Sequence, residues 1–144
     1  MNYEEARAFL DEVGKTGSVL GLESMKELLK RLENPQNQLK FIHISGTNGK
    51  GSELAFLSEI LTEAGYRTGR YISPTLYSYR ERIQVDGEWI DRESLAHYVA
   101  VVKEAIEAIE ADGLSVPTVF EVETAISFLY FCDKKCDIVM LETG

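Results

Sequence analysis

The apolar positions fall first into a helical rhythm. Tyr3, Ala6, Phe9, Leu10 and Val13 recur three or four apart and predict a helix over residues 2–13, with Gly14 and Gly17 bracketing a break. Leu22, Met25, Leu28, Leu29 and Leu32 predict a second helix, which Asn34-Pro35 stops. Phe41-Ile42-His43-Ile44 reads as a short buried strand. A glycine-rich loop over Gly46 to Gly51 follows, then a helix to about Ala64 with Leu54, Leu57, Leu61 and Ala64 inward. Gly65 suits the left-handed position that closes that helix. A strand is expected from Tyr66 to Ile72, ended by Ser73-Pro74. Asp86-Gly87 between Ile83-Gln84-Val85 and Glu88-Trp89-Ile90 marks a hairpin with a type I′ turn.

Asp91 is placed to cap a long helix whose inward face is Leu95, Val99, Val102, Ile106 and Ile109. After Val116-Pro117, Thr118 and Glu121 form the pattern of a capping box. The helix behind it is apolar nearly all round (Val122, Ala125, Ile126, Phe128, Leu129, Phe131), so it should be buried. Asp137 to Leu141 is the last strand. Strands alternate with helices, which predicts an α/β fold with a partly parallel sheet and flanking helices. In such sheets ligands bind beyond the carboxyl ends of the strands. The chain ends there, at Leu141-Glu142-Thr143-Gly144, and is therefore read as one part of something longer.

The most informative segment is Gly46-Thr47-Asn48-Gly49-Lys50-Gly51-Ser52. Glycines let backbone N–H groups converge on one anion, and the helix behind them aims its positive end at the same point. Lys50 can reach terminal phosphates, and Ser52 can place its hydroxyl on Mg²⁺. The common G-x-x-x-x-G-K-[ST] pattern would need Gly where Ile44 stands and Ser or Thr where Gly51 stands. The segment fits the shorter G-x-x-G-K-x-[ST], whose chance occurrence in a chain of this length is on the order of 0.5% from average composition. A glycine-rich turn without a ligand is the plainer alternative, and phosphate binding stands well ahead of it.

Phe41 to Ser52, FIHISGTNGKGS, resembles the phosphate loop of the Mur ligase superfamily, and within it of folylpolyglutamate and dihydrofolate synthases. Further resemblances follow in order: Gly21-Leu22-Glu23, Asn34-Pro35-Gln36, Ser73-Pro74-Thr75-Leu76, Glu81-Arg82-Ile83, Pro117 to Glu121 with Thr124, and Leu141 to Gly144. The likeness implies a P-loop ATPase domain, of which residues 1–144 are the N-terminal part. It also implies an ATP-dependent ligase with Mg²⁺ as cofactor. Such enzymes phosphorylate a carboxylate of dihydropteroate or folate, and the amine of glutamate then displaces phosphate from the acyl phosphate.

On that resemblance Gly46 to Ser52 hold ATP, with Lys50 also catalytic. Ser52 and Glu142 hold the metal, and Ser73, Arg82, Phe120 and Glu121 contact the folate. Thr75 stands where the family has histidine, so any role of that imidazole is absent. The family's further histidine metal ligand, its modified lysine and its second domain lie outside these 144 residues, and the chain alone is not expected to complete the reaction.

Each residue also has a structural reading. Phe120 could be core, Glu121 only a cap, and Glu142 a solvated strand end. Four arginines (Arg67, Arg70, Arg80, Arg82) face one acid between Tyr66 and Val85; Arg67 and Arg70 read as ordinary surface residues. His43 reads as packed or hydrogen-bonded, and His97 as solvated. Cys132 and Cys136 make a poor zinc site without further ligands and read as reduced, buried thiols.

Composition narrows the remaining classes. A chain of 144 residues is one domain by length, and 44% hydrophobic residues argue against disorder. The net charge of −9 argues against non-specific binding to nucleic acid or to an anionic membrane. No run of 18 apolar residues is present, and MNYEEARAF is no secretory signal, so the expected location is cytoplasmic. Two alternatives stay open. One is another Mur-type amide ligase. The other is a non-catalytic chain that binds nucleotide or self-associates through an unpaired sheet edge.

Overall fold

The computed structural model describes residues 1–16, 22–45, 50–72 and 77–143. Along the chain the elements are α1 (Tyr3–Thr16), α2 (Leu22–Arg31), β1 (Phe41–Ser45), α3 (Lys50–Glu63), β2 (Thr68–Tyr71), β3 (Ile83–Val85), β4 (Glu88–Trp89), α4 (Arg92–Ala111), α5 (Val119–Asp133) and β5 (Ile138–Thr143). Short 3₁₀ turns at Pro35–Gln38 and Tyr79–Arg82 are additions to the expected elements. They are too short to show a period. The contacts divide into two compact units: Met1–Gln36 with Arg92–Tyr130, and Asn37–Asp91 with Phe131–Gly144.

The first unit is helical. α4 packs against α1 and α2, and its predicted inward stripe is buried at every position from Leu95 to Ile109. Ala6, Leu10 and Val13 of α1 and Leu28 and Leu29 of α2 supply the facing apolar side chains. α1 starts with a reciprocal cap that sequence reading passed over. Asn2 Oδ1 accepts the Glu5 N–H at 2.8 Å, and Glu5 Oε1 accepts the Asn2 N–H at 2.9 Å.

The expected break at Gly14 does not occur; α1 continues to Thr16. One helical glycine costs only about 1 kcal/mol relative to alanine, which tertiary packing can outweigh. A Cβ at Gly14 would lie 3.9 Å from Val119 Cγ1, so packing closes directly over it. Gly17 lies outside the described residues. Arg31 at the end of α2 reaches Asp112, just past α4, at 2.7 Å.

The second unit carries the sheet, in the order β1-β5-β2-β3-β4. β5 runs parallel to both β1 and β2, while β3 and β4 join antiparallel, so the sheet is mixed with a parallel half. The β3–β4 turn has Asp86 at φ 52° and Gly87 at φ 84°, as a type I′ turn requires. α3 covers one face: Leu57 and Leu61 pack with Ile42 and Ile44 of β1, Met140 of β5 and Ile72. It ends as expected, with Gly65 at φ 95°, the Gly65 N–H on Thr62 O and the Tyr66 N–H on Leu61 O, each at 3.0 Å. In β2, Gly69 lies against the ring of Phe131, which is fully buried.

Candidate nucleotide and substrate site

β1 ends at Ser45 and α3 begins at Lys50, so the strand feeds the helix through four residues. Gly46, Thr47, Asn48 and Gly49 lie outside the described residues. Lys50, Gly51 and Ser52 form the first turn of α3, and their backbone sits where an anion at a helix start would be met.

β5 runs beside β1 with Ile44 opposite Glu142 and Ser45 opposite Thr143. Met140 faces α3, and side chains two apart on a strand share a face. Glu142 therefore stands on the α3 side of the sheet, at the carboxyl end of a central strand and level with the last residues of β1. It is half-buried. Its diagonal neighbour on that face is Arg70, whose backbone is in register with Met140.

Arg70 is not the surface residue its sequence context implied. It is half-buried and lines a cavity of about 350 Å³ with Ser58, Glu59, Thr62, Glu63, Gln84 and Asp86. Burial pulls its guanidinium below the ordinary arginine value, and the carboxylates of Glu142 and Glu81 push it back up. The strand alternation that puts Arg70 and Ile72 on one face was the available signal. Arg67 does fit a surface role: it is exposed, 3.6 Å from Asp86 and bonded to Lys134 O at 2.9 Å.

Of the expected substrate residues in this unit, Ser73 and the neighbouring Thr75 lie outside the described residues. Arg82 ends the second 3₁₀ turn, its guanidinium 3.9 Å from the centre of the Tyr79 ring. Ser78 caps that turn by accepting the Arg80 N–H, and Glu81 accepts the Tyr77 N–H at 2.9 Å. Tyr77 is 83% exposed, so a tyrosine beside this arginine turn is presented to solvent.

Phe120 and Glu121 belong to the helical unit. Phe120 is 47% exposed and not part of the core. Glu121 is the reverse, 5% exposed. Its Oε1 accepts the Thr118 N–H at 2.8 Å, and Thr118 Oγ1 accepts the Glu121 N–H at 3.3 Å, so the expected capping box is formed. Ser24 of α2 also donates to the carboxylate, at 3.1 and 3.2 Å to its two oxygens. Sequence reading missed Ser24, although its spacing from Leu28 places it on the buried stripe of α2.

Among the described residues no group of three or more His, Cys, Asp or Glu could hold a metal, and no helix is long and apolar enough to cross a membrane. Cys136 is buried and Cys132 partly so. Burial, with help from Asp86, pushes the Cys136 thiol from 9.0 up to about 12, against an opposing pull from Arg67. The unfolded chain then releases this proton at lower pH than the folded chain. Stability is expected to fall as pH rises from about 9 toward 12. Denaturation midpoints measured across that window should show the fall in the parent chain and lack this share of it in Cys136→Ala.

No protein-family model matches the chain. A curated dihydrofolate synthase/folylpolyglutamate synthase of Bacillus subtilis (strain 168) is 41% identical over 143 residues, covering 99% of this chain and 33% of the relative. A solved FPGS–AMPPCP–folate complex superposes with a TM-score of 0.89 at 34% identity, over 100% of this chain and 35% of that one.

The chain is similar along its whole length to folylpolyglutamate synthases. A bifunctional folylpolyglutamate synthase/dihydrofolate synthase solved with Mn, AMPPNP and L-glutamate also matches. Its TM-score is 0.84 at 31% identity, over 100% of this chain and 33% of that one. The chain thus spans about a third of the length of these folylpolyglutamate synthases.

Proposed function

We propose that this chain carries the nucleotide-binding end of an ATP-dependent ligase. The ligase joins glutamate through its amine to a carboxylate of a folate or of dihydropteroate, in the cytoplasm. The observation that carries the reading is the register of β5 on β1. It sets Glu142 level with the residues that lead into the Gly46–Ser52 segment, on the side where α3 begins. A carboxylate oxygen and a serine hydroxyl are the hard donors that Mg²⁺ prefers. Relatives solved with AMPPCP or with Mn and AMPPNP support a nucleotide and a divalent metal for the family.

In this reading the backbone of Gly46, Thr47, Asn48, Gly49 and Gly51 cradles the phosphates, and Lys50 neutralises charge that builds on them. Ser52 and Glu142 hold the metal. Bound Mg-ATP supplies the phosphoryl group that activates the substrate carboxylate as an acyl phosphate. The protein's part in such a transfer is positioning and charge stabilisation. In the sheet unit Ser73 and Arg82 are the folate contacts of this reading, with Arg82 as the cation for carboxylates; in the helical unit Phe120 is its flat apolar surface for a ring.

Glu142→Ala tests the carrying observation. Calorimetric titration with Mg-ATP should show binding about tenfold weaker than in the parent chain, the order expected for one lost charged contact. Titration with ATP in EDTA should show no difference between the two chains. Equal Mg-ATP affinities would take the metal away from Glu142. The self-associating alternative has one observation on its side: among the described residues β1 stands at an edge of the sheet, with a strand partner on one side only.

A further inference from the structure

A capping box is self-contained. The cap residue and the third residue of the helix satisfy one another, and the carboxylate ordinarily rests in solvent. At α5 the carboxylate is buried instead, and one N–H does not satisfy a buried carboxylate. The second donor comes from 97 residues away: Ser24, itself 7% exposed, on the first turn of α2. The hydroxyl stands nearly equidistant from both oxygens, at 3.1 and 3.2 Å, so it fixes the plane of the carboxylate as well as its position.

The residue held by this arrangement is Phe120, the immediate neighbour of Glu121. Its own carbonyl accepts the Thr124 hydroxyl at 2.8 Å. The first turn of α5 is therefore pinned on the Glu121 side through α2 and on the Phe120 side through Thr124. A large aromatic ring stands 47% exposed on that pinned turn. Such a ring is wasted apolar surface in a free helix end. On an immobilised one it is a prepared stacking surface, because the ordering cost is met before the ligand arrives.

We propose that Ser24 is a positioning residue for substrate. Through Glu121 it fixes the first turn of α5 so that Phe120 is held ready to stack on the flat heterocycle of a pteroyl group. This rests on the folate reading above and changes one part of it. Glu121 does not touch the substrate; it transmits the position of α2 to Phe120.

The test uses the parent chain, Ser24→Ala, Ser24→Thr and Phe120→Leu. The ligands are pteroate, which carries the heterocycle without glutamate, and Mg-AMPPNP. Hydrogen exchange at the Glu121 amide reports the clamp. Ser24→Ala should speed that exchange about tenfold and weaken pteroate about five- to tenfold, the size of one ordinary lost hydrogen bond. It should leave Mg-AMPPNP affinity unchanged, and Ser24→Thr, which keeps the hydroxyl, should restore both losses. Phe120→Leu should weaken pteroate without altering exchange at Glu121.

The proposal is overturned if Ser24→Ala leaves pteroate affinity at the parent value while Phe120→Leu lowers it. It is also overturned if Ser24→Ala weakens pteroate and Mg-AMPPNP alike, which would be general loosening. If Phe120→Leu has no effect, or the parent chain binds no pteroate, the folate reading of Phe120 fails and the positioning role falls with it.

Discussion

Replacing Phe131 with alanine is expected to destabilise the chain by about 3–5 kcal/mol, the usual range for emptying a fully buried aromatic site. Phe131 is completely buried, and its ring lies against the backbone of β2 at Gly69. A Cβ at Gly69 would stand 2.8 Å from the ring's Cδ1 and 3.0 Å from Cε1, closer than van der Waals contact allows. Gly69→Ala alone should therefore cost about 1–3 kcal/mol by overpacking. In the Phe131→Ala background the same methyl enters vacated space, and its cost should drop to about zero. Urea denaturation of the four chains gives the coupling directly. Additive losses would mean that Gly69 is required by its strand position and not by the ring.

Lys50→Ala is expected to weaken Mg-ATP binding on the order of 100-fold, since a charged contact to phosphate contributes up to about 3 kcal/mol. The lysine opens α3 directly after the glycine-rich segment, where its ammonium and the helix start would act on the same phosphates. Calorimetry on the parent chain and the variant checks this. Equal affinities would move phosphate recognition off the segment. Binding by neither would make these residues a folding unit whose ligand site needs more polypeptide. A circular dichroism melt should be little changed, because Lys50 is the first residue of α3 and a helix end tolerates such a change better than its interior.

What could be read in the sequence was chemistry that closes over a few residues. Thr118 and Glu121 cap one another, Asp86-Gly87 makes the predicted turn, and Gly65 ends α3, because each needs only near neighbours. The stripe of α4 was legible because a helix face repeats every three or four residues. The motif from Gly46 to Ser52 was legible as composition and order, independent of any pairing. The insertion of β5 between β1 and β2 was not legible. Nothing in Ile138–Thr143 marks partners at Phe41–Ser45 and Thr68–Tyr71.

Side-chain environment was the other blind spot. Phe120 and Glu121 are adjacent, yet the aromatic is exposed and the carboxylate buried, the opposite of what residue type alone suggests. The buried carboxylate is met by Ser24 on a different helix, and one-dimensional patterning does not report that contact. Arg70 is a similar case. Its half-burial follows from the strand face it occupies, and its charge environment from Glu142 beyond it, two facts that exist only once the sheet is assembled.

The central position of β5 also sets an order of events during synthesis. β1 and β2 leave the ribosome about 70 or more residues before the strand that lies between them, and neither has a parallel partner until it arrives. The β3–β4 hairpin and the helical contacts can form locally as they emerge. The parallel half of the sheet cannot: Phe41 must wait for Val139. Closing such distant pairings is slow and leaves strand edges exposed meanwhile. A nascent chain stalled short of residue 138 should therefore be the form most in need of a chaperone, with the strand that leads into the Gly46–Ser52 segment still unpaired.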